Sequence, residues 1–421
     1  MIFAKGTLLP DSDWARVLAG LETEINATRM SRTLPPETVL SAVDALGRRL
    51  RAGELDALAA QVLPAGELAE VKALLRRETL EEKLNAELGP DFLRPREFAR
   101  TTAHILPLGT LLHVAPGNQL GLGLYSVVEG LLTGNVNLLK LPRADKGASL
   151  AALSLLVEEA PELADFLYAF DLPSSETEDL KALAALADGV VTWGGEGAVS
   201  ALRKLAPPGA KLIEWGHRLS FAYVSGYADK ERELAGLAEH IVATGQRLCS
   251  SCQVIFLDTE DFGAVRRFCT DFLPWLERAA SARTGPSAGA QATLSGHTAL
   301  LERVVEGRAA GEAHFPGRGC SVTARPDREL ELSPMEGNVL VKALPRSELL
   351  PALRRQKGRL QTAGLICAPA EREALTALLA RAGVTRITRA GEMSASFPGE
   401  GHDGEYSLRR YIRIVDVEKG E

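Results

Sequence analysis

Apolar positions along this chain fall into two textures. Over roughly the first hundred residues they recur at helical spacing. Val39, Leu40, Val43, Leu46 and Leu50 follow Pro35-Pro36-Glu37, and Leu68, Val71, Leu75, Leu84 and Leu88 run up to the breaker pair Gly89-Pro90. This predicts amphipathic covering helices. After Pro107 the texture changes to short apolar runs that alternate with helix-length stretches. Residues 111–114 are strand-like and end at Pro116-Gly117, 120–132 have helical length and close at Gly134-Asn135, and 136–141 are strand-like again. Further helical runs are predicted near 147–158, 175–187 and 229–244. Further strands are predicted at 190–192, 211–215, 221–224, 254–257, 339–344 and 364–367, and a last element at 406–417. Repeated strand–helix steps predict an α/β protein with largely buried parallel sheets.

Composition narrows the class. The 421 residues suffice for two or three domains, and 46% apolar with 24% charged residues is an ordinary globular balance. Lys plus Arg number 48 against 55 Asp plus Glu, a net charge of −7, and aromatics are only 5%. That argues against nucleic acid as a partner, which calls for a basic face and stacking rings. The five cysteines are odd in number and sparse, so no disulfide scaffold is expected and a reducing, cytoplasmic compartment is the default. The amino terminus lacks the apolar core of a signal peptide. The most apolar stretch, 120–141, is broken by Glu129, Asn135 and Asn137, so no membrane span is expected.

Ligands of open parallel sheets bind at strand carboxyl ends. Three segments are expected there: Pro116-Gly117-Asn118, Thr192 to Gly197, and the segment holding Cys249. In Gly245-Gln246-Arg247-Leu248-Cys249-Ser250-Ser251-Cys252-Gln253, small residues crowd around Cys249 and leave room for a substrate. A thiol needs help to ionise, and Arg247 and nearby N–H groups are candidates to supply it. Cys249 and Cys252 also fit two small buried hydrophobes, a redox pair, or half a zinc site. No second cysteine pair or close-spaced histidines follow, and the nearest histidine is His240. Trp193-Gly194-Gly195-Glu196-Gly197 lies between a strand and a helix, where N–H groups meet phosphates, and is equally a tight turn. Glu214 ends a strand; His217 and His402 have polar neighbours.

Taken in order, these segments resemble the aldehyde dehydrogenase superfamily, and specifically the LuxC-type fatty acyl-CoA reductases of bacterial luminescence operons and their non-luminous relatives. The resemblance rests on His113-Val114-Ala115-Pro116-Gly117-Asn118, on Gly134-Asn135-Val136-Asn137-Leu138-Leu139-Lys140-Leu141-Pro142, on Glu214-Trp215-Gly216, and on the Gln-x-x-Cys-Ser-Ser segment from Gln246 to Ser251. It covers about residues 90 to 370.

The resemblance implies an aldehyde dehydrogenase-like fold: a helical region at 1–95 packed on a dinucleotide-binding α/β domain at 96–220, a catalytic α/β domain at 221–390, and a C-terminal segment at 391–421 that serves oligomerisation. It implies that Cys249 takes the acyl group from a thioester, that Asn118 donates to the oxyanion, and that Lys140 binds the adenosine ribose. Ala115, Pro116, Trp193, Gly194, Gly195 and Gly197 are implied around the cofactor. Arg143 stands where many NAD-preferring relatives carry a glutamate, which points to a 2′-phosphate and so to NADPH. The implied reaction converts an acyl-CoA or acyl-carrier-protein thioester to an aldehyde without a metal, in a homodimer or homotetramer. Glu214 is the candidate general base, with an open role in a reductase. Ser333-Pro334-Met335-Glu336-Gly337-Asn338 replaces the superfamily's Glu-x-Phe-Gly segment, and Cys249 lies one residue further from Gln246 than in most aldehyde oxidisers. The oxidative direction, a cysteine acyltransferase or thioesterase using no nicotinamide, and a redox or zinc protein are the competing readings.

Overall fold

Strands buried on both faces need no alternation of polar and apolar residues, and the runs after residue 107 follow that rule. The computed structural model describes residues 1–63, 65–117, 121–282, 288–397 and 399–420. The chain divides into two units, Met1–Gly216 with Phe397–Glu421, and His217–Ser396.

The first unit contains β1 (Ile2–Ala4), β2 (Thr7–Leu9), β3 (Arg96–Glu97), β4 (Thr101–Pro107), β5 (Thr110–Val114), β6 (Val136–Lys140), β7 (Leu167–Phe170), β8 (Gly189–Trp193) and β9 (Lys211–Trp215). Its main sheet has the order β2-β1-β7-β6-β5-β8-β9. Strands β5 to β9 are parallel, whereas β1 is antiparallel to both neighbours. The amino-terminal region is therefore not wholly helical as the spacing predicts. A hairpin extends the sheet, because Ile2 and Phe3 bury themselves opposite Phe170 and Ala169. From β5 the chain builds outward through β6 and β7, then crosses back to β8 and β9, which places a topological switch point between β5 and β8.

The predicted helices cover this sheet. Pro36 opens the helix Pro36–Arg51, which buries Val39, Leu40, Val43, Leu46 and Leu50, the stripe read from spacing. The helix Gly121–Leu132 packs against it and against the sheet. A Cβ on Gly130 would lie 1.9 Å from Asn137 Oδ1, so only glycine permits that approach.

The second unit contains β10 (Leu219–Val224), β11 (Cys252–Leu257), β12 (Ala313–Gly317), β13 (Cys320–Arg325), β14 (Asn338–Ala343), β15 (Leu360–Ile366) and β16 (Arg386–Thr388). The order is β12-β13-β14-β11-β10-β15-β16, and only β12 runs antiparallel. Every residue of β10, β11, β14 and β15 is buried. Helices Lys230–Thr244 and Phe262–Ser281 share one apolar cluster on this sheet; Leu349–Leu353 and Arg372–Arg381 share another.

After the second unit the chain returns to the first. Residues Ser407–Arg410 form a helical turn, and β17 (Ile412–Glu418) pairs with β4 in a small antiparallel sheet, order β17-β4-β3. Buried charges hold this return. Ser407 Oγ donates to Glu129 Oε1 at 2.7 Å, Leu408 N donates to Glu87 Oε2 at 2.8 Å, and Asn135 Nδ2 donates to Tyr411 O at 3.0 Å. Lys83 pairs with both Glu87 and Glu129. Glu87 and Glu129 are 1% and 3% exposed. Burial pushes the Glu87 carboxyl up, and Lys83 opposes that push. Lys83→Met leaves two buried carboxylates without their cation, an expected loss of about 3–5 kcal/mol. The loss is expected to be largest near neutral pH and to shrink as acid protonates Glu87, because a raised acid stabilises the folded state only while protonated. Urea melts at about pH 8 and about pH 5 check the sign.

Candidate active site

Three strand ends of the first unit gather the expected cofactor residues. Ala115 N donates to Lys140 O at 3.1 Å, tying the end of β5 to the end of β6. Ala115 and Pro116 are buried, and a Cβ on Gly123 would come within 2.8 Å of the Ala115 methyl, so the helix passes close beneath this turn. Asn118 lies outside the described residues. Lys140 is 4% exposed, and its Nζ donates to Ser174 Oγ at 2.9 Å. Burial lowers the affinity of this amine for its proton, with Asp171 opposing. Arg143 follows in a 3₁₀ turn, exposed, with no hydrogen bond or ion pair to the described residues.

At the end of β8, Trp193 is buried and donates its Nε1–H to Ser126 Oγ at 3.2 Å. Gly194 has φ +150°, a conformation that disfavours any side chain, and donates its N–H to Trp215 O at 3.2 Å. Gly195 caps the helix Glu196–Leu205, and a Cβ on Gly195 or Gly197 would meet nothing within 4 Å. The first turn of that helix carries Glu196. Trp193 and Trp215 stack at 5.5 Å, and the His402 ring lies 5.2 Å and 5.0 Å from them. Ser174, Ser126, Trp215 and His402 are the residues that sequence reading left unassigned here. Register and the return of the C-terminal segment bring them in; Trp215 lies in the Glu214-Trp215-Gly216 segment, and no local motif marks the others.

Glu214 lies one residue before Trp215 in β9. Arg203 Nε and Nη2 each donate to one of its carboxylate oxygens at 2.5 Å, a bidentate ion pair. Its carboxylate is thus engaged by a guanidinium.

The thiol belongs to the second unit. The helix Lys230–Thr244 ends at Gly245 in the left-handed region, and Gln246 follows at φ +62°. Gln246 is 1% exposed; its Nε2 donates to Cys252 O at 3.0 Å and Ser333 Oγ at 2.8 Å, while its Oε1 accepts from Gly337 N at 3.0 Å. The segment that departs from the superfamily's Glu-x-Phe-Gly thus braces the cysteine loop. Ser220 Oγ donates to Cys249 O at 2.7 Å, and Gln361 Nε2 donates to Cys249 Sγ at 3.3 Å. Gln361 and Ser220 also escaped sequence reading.

Ser220 and Gln361 lie at the starts of β10 and β15, and the loop runs into the start of β11, so the thiol sits at strand amino ends. That corrects the expectation of a carboxyl-end position: the loop precedes its strand and runs back across the strand starts. Arg247 is paired with a carboxylate. Its Nε donates to Glu336 Oε1 at 2.8 Å, and that carboxylate offsets its charge.

The two loop cysteines differ in kind. Cys249 is partly exposed, whereas Cys252 is fully buried, donates to Val254 O, and has its thiol pushed up to about 12 by burial. His240 accepts from Cys252 N at 3.3 Å, and burial, then Arg386, pulls it down to about 4, so it is neutral. Cys269, Cys320 and Cys367 are buried too. Among the described residues no cluster of three His, Cys, Asp or Glu could hold a metal ion, and no helix is long and apolar enough to cross a membrane.

The family described as acyl-CoA reductase (LuxC) matches residues 40–414. The chain is 23% identical over 354 residues to a long-chain acyl-protein thioester reductase of Aliivibrio fischeri, covering 82% of this chain and 72% of that one. It is 24% identical over 194 residues to the Vibrio harveyi protein of the same description, covering 45% of this chain and 41% of that one, so the match spans less than half of that relative. Solved structures with the same fold include a methylmalonate-semialdehyde dehydrogenase from Oceanimonas doudoroffii, with TM-score 0.76, 12% identity, and 99% and 97% of the two chains covered. A glyceraldehyde-3-phosphate dehydrogenase from Methanocaldococcus jannaschii, complexed with NADP, has TM-score 0.71, 10% identity, and 99% and 96% covered. These likenesses show an aldehyde dehydrogenase-like fold.

Limited treatment with iodoacetamide at about pH 8 is expected to label Cys249 and to spare the other four cysteines until denaturant is added. Peptide mass spectrometry reads the sites; equal labelling of Cys252 would overturn the contrast.

Proposed function

This chain belongs to the acyl-CoA reductase (LuxC) family, and we propose that it reduces a fatty acyl thioester, carried on CoA or an acyl-carrier protein, to an aldehyde with NADPH. The observation that carries this reading is the pair of unlike thiols in one loop. Cys249 is the partly exposed one, with an amide N–H on its sulfur, and serves as the nucleophile. Its thiolate attacks the thioester carbonyl, the carrier leaves as a thiolate, and the acyl group becomes a thioester on Cys249. Asn118 has its role, as donor to the oxyanion, from its motif alone. When bound, the nicotinamide supplies the hydride that reduces this acyl-cysteine.

The residues of the first unit fit an anionic dinucleotide. Lys140 is a buried amine that donates to the Ser174 hydroxyl, and Arg143 is an exposed guanidinium three positions on, suited to a 2′-phosphate. Gly195 and Gly197 leave the helix amino end open for close approach, although Glu196 narrows the charge advantage there. Trp193, Gly194, Ala115 and Pro116 complete the strand ends. The pairing of Glu214 with Arg203 favours reduction over hydrolysis, since a carboxylate bound to a guanidinium is a poor base for activating water. The edge strand β17, with Ile414 and Val417 largely exposed, supports a homodimer or homotetramer.

Mixing the protein with NADPH and a panel of acyl thioesters tests the reading. Thioester-dependent loss of NADPH absorbance is expected, falling on the order of 1000-fold or more in Cys249→Ala and surviving in Cys252→Ala. Carrier thiol released without NADPH loss would favour a thioesterase or acyltransferase. Arg143→Glu is expected to lower the NADPH-over-NADH ratio of kcat/KM by about 10- to 100-fold. An unchanged ratio would remove Arg143 from the cofactor.

A further inference from the structure

We propose that the side-chain amide of Gln361 holds the Cys249 thiolate and sets how readily that thiol ionises. This rests on the reading of Cys249 as the nucleophile. Gln361 is the second residue of β15 and is 6% exposed, so its amide is a buried polar group fixed by the sheet. Its Nε2 donates to Cys249 Sγ at 3.3 Å. Its Oε1 accepts from Thr362 Oγ1 at 3.4 Å, which keeps the oxygen turned away and the N–H toward sulfur. Its backbone is anchored as well, since Gln361 O accepts from Thr385 N at 3.0 Å.

The same strand grips the cysteine a second time. Thr362 N donates to Ser220 Oγ at 3.0 Å, and Ser220 Oγ donates to Cys249 O at 2.7 Å. Carbonyl and sulfur of Cys249 are thus both referred to adjacent residues of β15, so the N–H to sulfur geometry is built by the sheet. A donor aimed at sulfur favours the charged form, because an N–H bond to a thiolate is stronger than one to a thiol. Among the described residues, Arg247 is paired with Glu336, and neutral His240 accepts from Cys252 N.

The amide acts at both ends of the reaction. In the acyl-enzyme the sulfur is uncharged and draws little on the donor. When the reduced intermediate collapses, the carbon–sulfur bond breaks and its electron pair goes to sulfur as the oxyanion becomes the aldehyde carbonyl. The waiting N–H stabilises that departing thiolate. Gln361 therefore favours both formation of the nucleophile and release of the aldehyde.

The test is the pH dependence of Cys249 alkylation by iodoacetamide in the full-length protein, with reduction of a long-chain acyl-CoA by NADPH measured alongside. Gln361→Leu removes the donor, and the nearly isosteric Gln361→Glu replaces it with a negative charge. The alkylation midpoint is expected to rise by about one pH unit in Gln361→Leu and further in Gln361→Glu, with the high-pH plateau rate within about twofold of the parent. A merely structural role would change the plateau and leave the midpoint in place. Midpoints unmoved in both variants, with Cys249→Ala inactive, would overturn the role of Gln361 and leave the nucleophile standing. Full reduction by Cys249→Ala would instead overturn the reading on which the proposal rests.

Discussion

An amide buried away from water must find partners for its N–H groups and its oxygen, and the cysteine loop is organised around that demand at Gln246. With 1% exposure, Gln246 reaches forward to Cys252 O and across to Ser333 and Gly337. Gln253 adds a reciprocal bond, donating to Gln246 O at 2.8 Å and accepting from Ser333 Oγ at 2.9 Å. Satisfying this set forces Gln246 to φ +62°, a conformation that costs on the order of 1 kcal/mol outside glycine. The chain therefore turns sharply off its helix, and Cys252 is drawn into β11 while Cys249 is left at the rim. The chemical difference between two cysteines three residues apart is a by-product of where one glutamine is buried.

The two units use their sheets differently. In the first, Lys140, Arg143 and the Gly194–Gly197 turn stand at the carboxyl ends of β6 and β8, beside the topological switch point between β5 and β8. In the second, the thiol stands at strand amino ends, held by side chains from the starts of β10 and β15. Glycine loops and helix amino ends serve phosphate, whereas a nucleophile needs a rigid floor. Buried strand starts provide one.

Legibility in the sequence follows the range of the interactions. Strands buried on both faces, such as β5, β6, β8 and β14, are legible as short apolar-rich runs, and the helix Pro36–Arg51 as a stripe. The strands β1, β2, β7 and β16 carry three or four residues each, too few for a period to emerge against neighbouring apolar helices. β4 is half-exposed along its length and pairs with β17 from the far end of the chain, so no local pattern announces it. At the site, Cys249, Lys140 and Arg143 were legible because their residue types carry chemistry. Gln361, Ser220 and Ser174 were not, because a glutamine or serine in a strand declares nothing until the register shows what it faces.

The return of the C-terminal segment has a consequence for how the protein is made. Leu408 N meets Glu87 Oε2 across 321 residues, and the bond is one of several closing the first unit. At about 5–20 residues per second, synthesis of the intervening chain separates those partners by on the order of fifteen to sixty seconds. Through that interval the nascent first unit carries Lys83, Glu87 and Glu129 without Ser407 and Leu408, and β4 without its outer neighbour. The second unit is contiguous and closes as it emerges. The ribosome thus delivers the thiol-bearing second unit complete before the first unit is sealed, and residues 407–418 act as the final clasp.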